Sequence, residues 1–250
     1  MSKEKIGYDY LDNDWYDIKE IKKILDELNA SIVTDEGEIY NYNQKAFYML
    51  RNKANMGDAL SWQEISHKIS NYTFPINTLI VGKKYCVGYV TELIEGINGT
   101  QMLQKLTSLE SRRAIANWLI TMYDNMKRMS ISYTNWSLED LLVTRSRKLI
   151  LINSHFFIED KKNTKPFVDY NFCVLIFSIL YGLDFSIVNP EEIPELHIPE
   201  AIKEILSKKK NEKITIEEIK KITRLTQKEF VYQPQIQKLI RKFSVTKSTN

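Results

Sequence analysis

Residues 77–99 read NTLIVGKKYCVGYVTELIEGING. The β-prone runs 77–81 and 85–94 flank a short Gly-Lys-Lys turn, a pattern typical of a β-hairpin. The run ends in Glu95-Gly-Ile-Asn-Gly99, where two glycines lie close together. Because closely spaced glycines interrupt regular structure, they mark a break between elements. The stretch therefore predicts an antiparallel sheet that ends at a boundary near residue 95.

The residues before this hairpin complete a mixed α+β domain that we expect to cover 1–95. Apolar residues at helical spacing predict an N-terminal amphipathic helix, and β-prone runs around a turn with one glycine predict another hairpin. Two further helices are expected before the hairpin of 77–94. The predicted elements are a helix at 16–28, a hairpin of 30–34 and 39–43 around Asp35-Glu-Gly-Glu38, and helices at 44–55 and 59–69, separated at Gly57-Asp58.

After residue 95 the pattern becomes mostly helical. Residues 109–129 predict a long helix, and 168–181 are apolar almost all round, as in a buried central helix that Gly182 ends. Thr215 and Glu218 have the spacing of a capping box. A small hairpin is expected at 141–143 and 148–152, and further helices are expected to begin at Pro199 and Pro234. The expected domains are 1–95, a helical domain at 96–232, and a basic helix or tail at 233–250.

The composition is that of an ordinary globular chain, with 43% hydrophobic and 27% charged residues. No apolar run approaches the roughly 20 residues of a membrane span, and the charged N-terminus does not resemble a signal peptide. Cys86 and Cys173 lie far apart in apolar segments, which favours buried thiols in a reducing compartment. We therefore expect a cytoplasmic protein. The frequent Ile, Lys and Asn suggest an AT-rich genome, as in a low-GC bacterium or a virus.

The net charge of +3 is unevenly distributed. Residues 1–40 contain eleven acidic residues and five lysines, whereas residues 220–250 contain eight lysines and arginines and one glutamate. Two interpretations stay open: these are solvated faces, or the basic end contacts an acidic partner. Nucleic-acid binding is not expected, because the aromatic residues available for base stacking there are few: Phe230, Tyr232 and Phe243.

In this order, the segments resemble the protein-kinase-like fold. Residues 88–96 are similar to the fifth strand and hinge of that family, with Thr91 as gatekeeper and Glu92, Leu93 and Ile94 as the hinge. Residues 133–143, YTNWSLEDLLV, are similar to the catalytic loop, and 149–155 fall where the metal-binding Asp-Phe-Gly motif would lie. The resemblance implies an α+β, two-lobed fold, with an antiparallel sheet in a small N-lobe and a mostly helical C-lobe.

The same resemblance implies that the chemical residues are degenerate. The catalytic aspartate becomes Asn135, which cannot accept a proton at neutral pH. The metal-binding asparagine becomes Asp140 and the metal-binding aspartate becomes Asn153, at kinase-like spacings of five and thirteen residues. The phosphate-binding lysine would fall at Asn41 or within a residue or two of it, with Lys45 as the nearby substitute. The chain therefore resembles a pseudokinase.

The position that supports the fold in this family is retained. Asp169 stands at the start of the buried helix, where the family uses an aspartate to tether the backbone of the catalytic loop. Other chemistries have less support, since His67, His155 and His197 lack metal-ligand spacing. Asp140 is the most that could hold a metal ion.

The expected function is that of a catalytically inactive kinase-like scaffold or regulator that binds a protein partner. No cofactor is expected beyond weak binding of ATP and Mg²⁺ by a pocket formed around Thr91, Glu92, Ile94, Asp140 and Lys45. One alternative is an atypical transferase that moves part of ATP, as in adenylylation, with Asp140 on the metal and Lys45 on the phosphates. The other is an unrelated α+β interaction protein. The oligomeric state stays open.

Overall fold

In a computed structural model, the chain is an α+β protein that divides into two compact units. The structure describes residues 16–34, 36–105, 108–146, 148–160, 167–186, 198, 200–207 and 214–229. The described part of the first unit comprises the chain up to Gly96 together with Thr144–Glu159, and the second unit comprises Ile97–Val143 and the chain from Asp160. The first unit is therefore discontinuous in sequence, unlike the contiguous division expected at residue 95.

The first unit is built on a six-stranded sheet. Along the chain, one helix lies between the first and second strands and another lies between the fourth and fifth. Its elements are β1 (Tyr16–Asp17), α1 (Ile18–Leu25), β2 (Ile32–Thr34), β3 (Gly37–Tyr42), β4 (Lys45–Asn55), α2 (Met56–Lys68), β5 (Thr78–Gly82) and β6 (Tyr85–Glu92). The strand order is β1-β5-β6-β4-β3-β2. Every neighbouring pair is antiparallel except β1 and β5, which are parallel. Both hairpins predicted from the sequence are confirmed.

Helix α1 covers one face of this sheet. Its buried residues Ile21 and Leu25 pack against Phe47, Ile80 and Val90 of the three central strands. Phe47 and Val90 are paired across β4 and β6, so both side chains point to the same face. Because side chains alternate along a strand, Ala46 and Tyr48 point to the opposite face.

The helix predicted at 44–55 is wrong, since these residues form strand β4. The strand pairs with β3 on one side and β6 on the other, and this pairing on both sides outweighs any local helical preference. The break predicted at Gly57-Asp58 is also wrong. Asn55 instead caps α2, its side-chain Oδ1 accepting a 2.9 Å hydrogen bond from the Asp58 N–H.

The remaining elements follow β6 along the chain. They are β7 (Gly96–Asn98), α3 (Gly99–Lys105), α4 (Leu109–Arg128), β8 (Ile131–Tyr133), β9 (Leu141–Thr144), β10 (Leu149–Leu151), a 3₁₀ turn (Ser154–Phe156), β11 (Phe157–Glu159), β12 (Phe167–Val168), α5 (Tyr170–Tyr181), α6 (Glu200–Ser207), β13 (Ile214–Thr215) and α7 (Ile216–Glu229). Strands β12 and β13 pair antiparallel. The helix predicted at Pro234 and the basic tail at 233–250 lie outside the described residues.

The second unit is organised around α5, which is buried along almost its whole length. It packs against α4, with the rings of Tyr123 and Phe172 4.4 Å apart. Gly182 ends α5 at φ 70°, a left-handed conformation that glycine adopts without steric cost. Thr215 and Glu218 form the predicted capping box, in which each side chain bonds the other residue's backbone N–H. No helix in the described ranges has both the length and the apolar character needed to cross a bilayer.

Candidate functional site

The predicted gatekeeper lies in a row of paired residues across three strands. Asn41 of β3 is paired with Ala46 of β4, and Ala46 is paired with Thr91 of β6. Directly paired residues present their side chains on the same face, so the three share the face opposite α1. Ala46 and Thr91 are fully buried, and Asn41 is half-buried. Asn41 thus lies on the strand before the one that leads into α2.

Two side chains of this row donate hydrogen bonds to backbone carbonyl groups of the predicted hinge. The Thr91 hydroxyl donates a 2.9 Å hydrogen bond to the Glu92 carbonyl oxygen. The Asn41 amide donates from Nδ2 to the Ile94 carbonyl oxygen at 2.8 Å, with Ile94 itself buried. Two backbone carbonyl groups of the predicted hinge therefore each accept a hydrogen bond from a side chain of this row.

Lys45 lies on the other face of the sheet. It is two residues from Phe47, which packs against α1, and its exposed ammonium group donates a 3.1 Å hydrogen bond to the Tyr16 hydroxyl. The ammonium nitrogen also lies 5.6 Å from the centre of the Tyr16 ring, within the range of a cation–π contact. The structure therefore does not bring Lys45 together with Asn41 and Thr91.

The residue of β4 that follows on the Asn41 face is Tyr48, which the sequence analysis missed. Tyr48 is 1% exposed and stacks on its paired residue Tyr89, with ring centres 4.8 Å apart and planes nearly parallel. Its hydroxyl lies 3.1 Å from Thr34 Oγ1. The alternation of side chains along 45–48 could have identified it, but only once these residues were assigned to a strand.

His155 completes an aromatic cluster with these tyrosines. Its ring centre lies 5.3 Å from that of Tyr48 and 5.7 Å from that of Trp62, which belongs to α2. His155 Nδ1 is 3.3 Å from the Tyr89 hydroxyl. Burial lowers the pKa of His155 to about 4, since the charged imidazolium is poorly solvated there. We call Tyr48, Trp62, Tyr89 and His155 the aromatic cluster.

Asn153 and Ser154 lie in a segment that is tied to the loop after α2. Asn153 is buried, and the Ser154 hydroxyl lies 2.9 Å from Thr73 Oγ1 and 3.2 Å from the Phe74 carbonyl oxygen. Thr73 in turn donates a 2.7 Å hydrogen bond to the Leu151 carbonyl oxygen. These contacts hold the turn at 154–156 in a single position against the first unit.

In the second unit, Asn135 and Asp140 are brought together. Asn135 Nδ2 donates to Asp140 Oδ2 at 3.1 Å, and the Ser137 hydroxyl donates to the same oxygen at 2.9 Å. Asp140 is only 2% exposed. Asn135, which the sequence predicted at the position of a catalytic base, donates a hydrogen bond to a neighbouring carboxylate and has no basic atom that could take a proton from a hydroxyl substrate.

Asp169 immediately precedes α5 and contacts Tyr123 of α4. The Tyr123 hydroxyl lies 3.4 Å from Asp169 Oδ2 and 3.3 Å from the Asp169 backbone nitrogen, which donates to it. Partial burial raises the pKa of Asp169, while the Tyr123 hydrogen bond and the positive charge of Lys127 act against that rise. Asp169 thus bonds a residue of α4, and Trp136, in the segment that resembles the catalytic loop, also lowers its pKa.

The described ranges contain no group of three His, Cys, Asp or Glu side chains that could hold a metal ion. His67 Nε2 lies 3.1 Å from the Ile76 carbonyl oxygen, and His197 falls outside the described residues. The amino-acid sequence matches no protein-family model and, at significant similarity, none of the curated proteins.

Proposed function

We propose that this chain is a protein-kinase-like domain that has lost phosphoryl transfer and acts by binding a protein partner. The order of the elements supports this. In kinases the phosphate-binding lysine stands on the third strand of the small lobe, and its glutamate partner stands on the helix that follows. Counted from β2, the third strand here is β4, α2 follows it directly, and β5 and β6 come after α2.

This comparison moves the lysine position from Asn41 to β4. The β4 residues on the face shared with Asn41 and Thr91 are Ala46 and Tyr48, and neither has a charge. In place of a lysine–glutamate pair, the first unit has the aromatic cluster. A ring stack of this kind stabilises the fold through burial, but it offers no cation to a phosphate group.

The observation that carries the proposal is the state of the predicted hinge. Adenine binding at a hinge requires backbone acceptors that lose water and gain a purine partner. Here the Glu92 and Ile94 carbonyl groups already accept hydrogen bonds from Thr91 and Asn41. A purine amino group would have to share an oxygen that already accepts one hydrogen bond and would have only its second lone pair, so it would gain less free energy than at an unoccupied acceptor.

The negative charge near the first hairpin turn also disfavours binding of a nucleoside triphosphate. That turn has the sequence Asp35-Glu-Gly-Glu38, which contains three carboxylates where a kinase has a glycine-rich loop over the phosphates. Lys45 lies at the other end of β3, paired with Tyr42, and is engaged with Tyr16. The cation beside the turn is Arg51, whose Nη2 donates a 3.3 Å hydrogen bond to the Thr34 carbonyl oxygen, so the carboxylates outnumber the positive charge there. Like charges at this turn would repel a nucleotide.

The test is a thermal melt of the full chain with ATP, ADP or adenosine, with and without Mg²⁺ or Mn²⁺. A ligand that binds only the folded state adds about 2.7 kcal/mol to the free energy of unfolding at a hundredfold excess over its dissociation constant. Binding would therefore appear as a clear rise in Tm. We expect no shift with any nucleotide, and no transfer of label from ATP to protein substrates. A metal-dependent shift in the wild-type chain would overturn the proposal.

The transferase alternative rests on one feature, the buried Asp140 carboxylate held by Asn135 and Ser137. If a metal-dependent shift occurs and disappears in Asp140→Asn, this alternative replaces the proposal. The matched control is Asp124→Asn, which removes the same charge from an aspartate of α4 that is paired with Arg128 at the surface.

A further inference from the structure

The first unit presents five exposed lysines on two neighbouring elements. Lys19, Lys22 and Lys23 belong to α1, and Lys83 and Lys84 form the turn between β5 and β6. All five side chains are exposed. We call these residues the lysine surface.

The parallel pairing of β1 with β5 brings the two elements together. Tyr16 is paired with Ile80 and Asp17 with Val81, so the start of α1 lies alongside the end of β5. The approach is close, since a Cβ atom on Gly82 would lie 3.2 Å from Ile18 Cγ2. The turn that contains Lys83 and Lys84 therefore lies against the first turn of α1, where Lys19 stands.

Two features of this surface are unfavourable for folding. Lys83 has φ 58°, in the left-handed region that glycine and asparagine adopt at much lower cost. Lys19 and Lys23 have i,i+4 spacing, at which like charges repel on a helix. A locally costly residue at an exposed position indicates a role outside folding.

Nearby acids do not neutralise these lysines. Within the described ranges, none of the five forms an ion pair, whereas Lys68 and Arg145 of the same unit pair with Glu64, Glu159 and Glu95. Asp17, the carboxylate beside Lys19, accepts a 2.8 Å hydrogen bond from the Lys19 backbone N–H and so caps α1. The charge of the lysine surface is thus available to a ligand.

We propose that the lysine surface docks an acidic segment of a protein partner, which rests on the proposed function as a binding module. Tyr85, 49% exposed beside Lys84, adds an aromatic contact for an apolar residue of that segment. The positive side chains are all lysines, with no arginine fork for bidentate contact with phosphate. Among the described residues, Tyr85 is the one exposed aromatic residue next to these lysines in sequence, which is too little for base stacking.

Other polyanions fit less well. The described residues of the first unit carry eleven lysines and arginines and eleven aspartates and glutamates, so the unit has no net positive charge to attract a nucleic acid over a distance. An anionic membrane is disfavoured because the apolar face of α1 is already buried on the sheet and cannot enter lipid.

The experiment measures fluorescence anisotropy of a short labelled polyglutamate peptide titrated with the full chain. Two double variants remove charge from the lysine surface: Lys83→Asn with Lys84→Asn, and Lys19→Gln with Lys23→Gln. The matched control, Lys105→Gln with Lys148→Gln, removes two exposed lysines outside the lysine surface. It shows how much binding falls when two positive charges are lost anywhere, and all these variants keep the basic C-terminal residues. We expect each surface variant to weaken binding about fivefold and to reduce its salt dependence, and the control to change it less than twofold.

The turn variant is not expected to lose binding through unfolding, because asparagine tolerates the conformation of Lys83 and should raise Tm. Equal weakening by the control variant, or no binding of polyglutamate, would overturn the proposal. Tighter binding of oligothymidylate or phosphatidylserine vesicles, with the same dependence on the five lysines, would replace the acidic segment with that ligand. A nucleotide-induced shift in the thermal melt would instead contradict the proposed function and leave the docking result standing.

Discussion

The side-chain amide of Asn41 donates a 2.8 Å hydrogen bond to the backbone carbonyl oxygen of Ile94, 53 residues further along the chain. The bond joins β3 to the segment that follows β6, across the width of β4. It fixes the residues after β6 in place and gives the buried Ile94 carbonyl group a hydrogen-bond donor.

Replacing Asn41 should therefore destabilise the first unit. In Asn41→Ala the buried Ile94 carbonyl loses its donor, and we expect the free energy of unfolding to fall by about 1–2 kcal/mol. Urea denaturation measures the change. The matched control is Asn52→Ala, an exposed asparagine of β4, which should alter stability by less than about 0.5 kcal/mol. Equal effects of the two variants would contradict a structural role for the Asn41–Ile94 bond.

Tyr48 is buried on the sheet face that would carry the phosphate-binding lysine under the proposed function. Tyr48→Phe keeps the ring stack on Tyr89 and loses the contact with Thr34, so a cost of about 1 kcal/mol is expected. Tyr48→Lys places an unpaired ammonium group among aromatic rings and should cost more than about 3 kcal/mol. Chemical denaturation distinguishes the two, and a stable Tyr48→Lys variant that binds ATP would show that the cluster is not an obstacle to nucleotides.

His155 should make stability depend on pH. Its pKa is about 4 in the folded chain, below its ordinary value of 6.5, so the unfolded chain binds the proton more tightly. The contribution of neutral His155 is complete above pH 6.5 and is lost as the pH falls toward 4, with a loss of about 2 kcal/mol between pH 7 and pH 5. Urea unfolding at the two pH values should show this loss in the wild type and in Tyr89→Phe, and a much smaller one in His155→Phe. A His155→Phe chain with the wild-type dependence would place the titrating group elsewhere.

Gly182 and Gly57 should respond in opposite directions to alanine. Gly182 has φ 70°, and a Cβ atom there would lie 2.6 Å from Arg112 Nη2, so Gly182→Ala should cost at least about 2 kcal/mol. Gly57 lies in the first turn of α2, where alanine is the better helix former. A Cβ atom there would lie 3.3 Å from Asn55 Oδ1, and because the Asn55 side chain is exposed and can shift slightly, Gly57→Ala should add about 0.5 kcal/mol. Thermal melts of the two variants provide the comparison.

The sequence alone was sufficient to predict the elements whose residue pattern lies within one short segment. The hairpins of the first unit, the long helix α4, and the end of α5 at Gly182 follow from alternation, helical spacing and a left-handed glycine, all of which can be read within one segment. Strand β4 could not be predicted in this way. Its conformation depends on β3 and β6, its neighbours on both sides, and β6 is distant in sequence.

The error at β4 also explains what was missed in the site. Treated as part of a helix, Lys45 appeared free to reach a phosphate, and Tyr48 had no particular significance. In a strand the two residues point to opposite faces, and the face decides their roles. The Asn41–Ile94 bond depends likewise on strand register, which composition and spacing do not reveal. That the amide of Asn135 cannot accept a proton at neutral pH, by contrast, follows from residue type alone.

The return of residues 144–159 to the first unit has a consequence for synthesis on the ribosome. Leu151, Ser154 and His155 are bonded to or packed against residues from the first 96 positions, so the sheet and α2 lack part of their interior until this segment has emerged. The first unit therefore cannot complete its folding as the nascent chain passes residue 96. It must wait, with its aromatic face incompletely covered, while the ribosome translates β7 to β9.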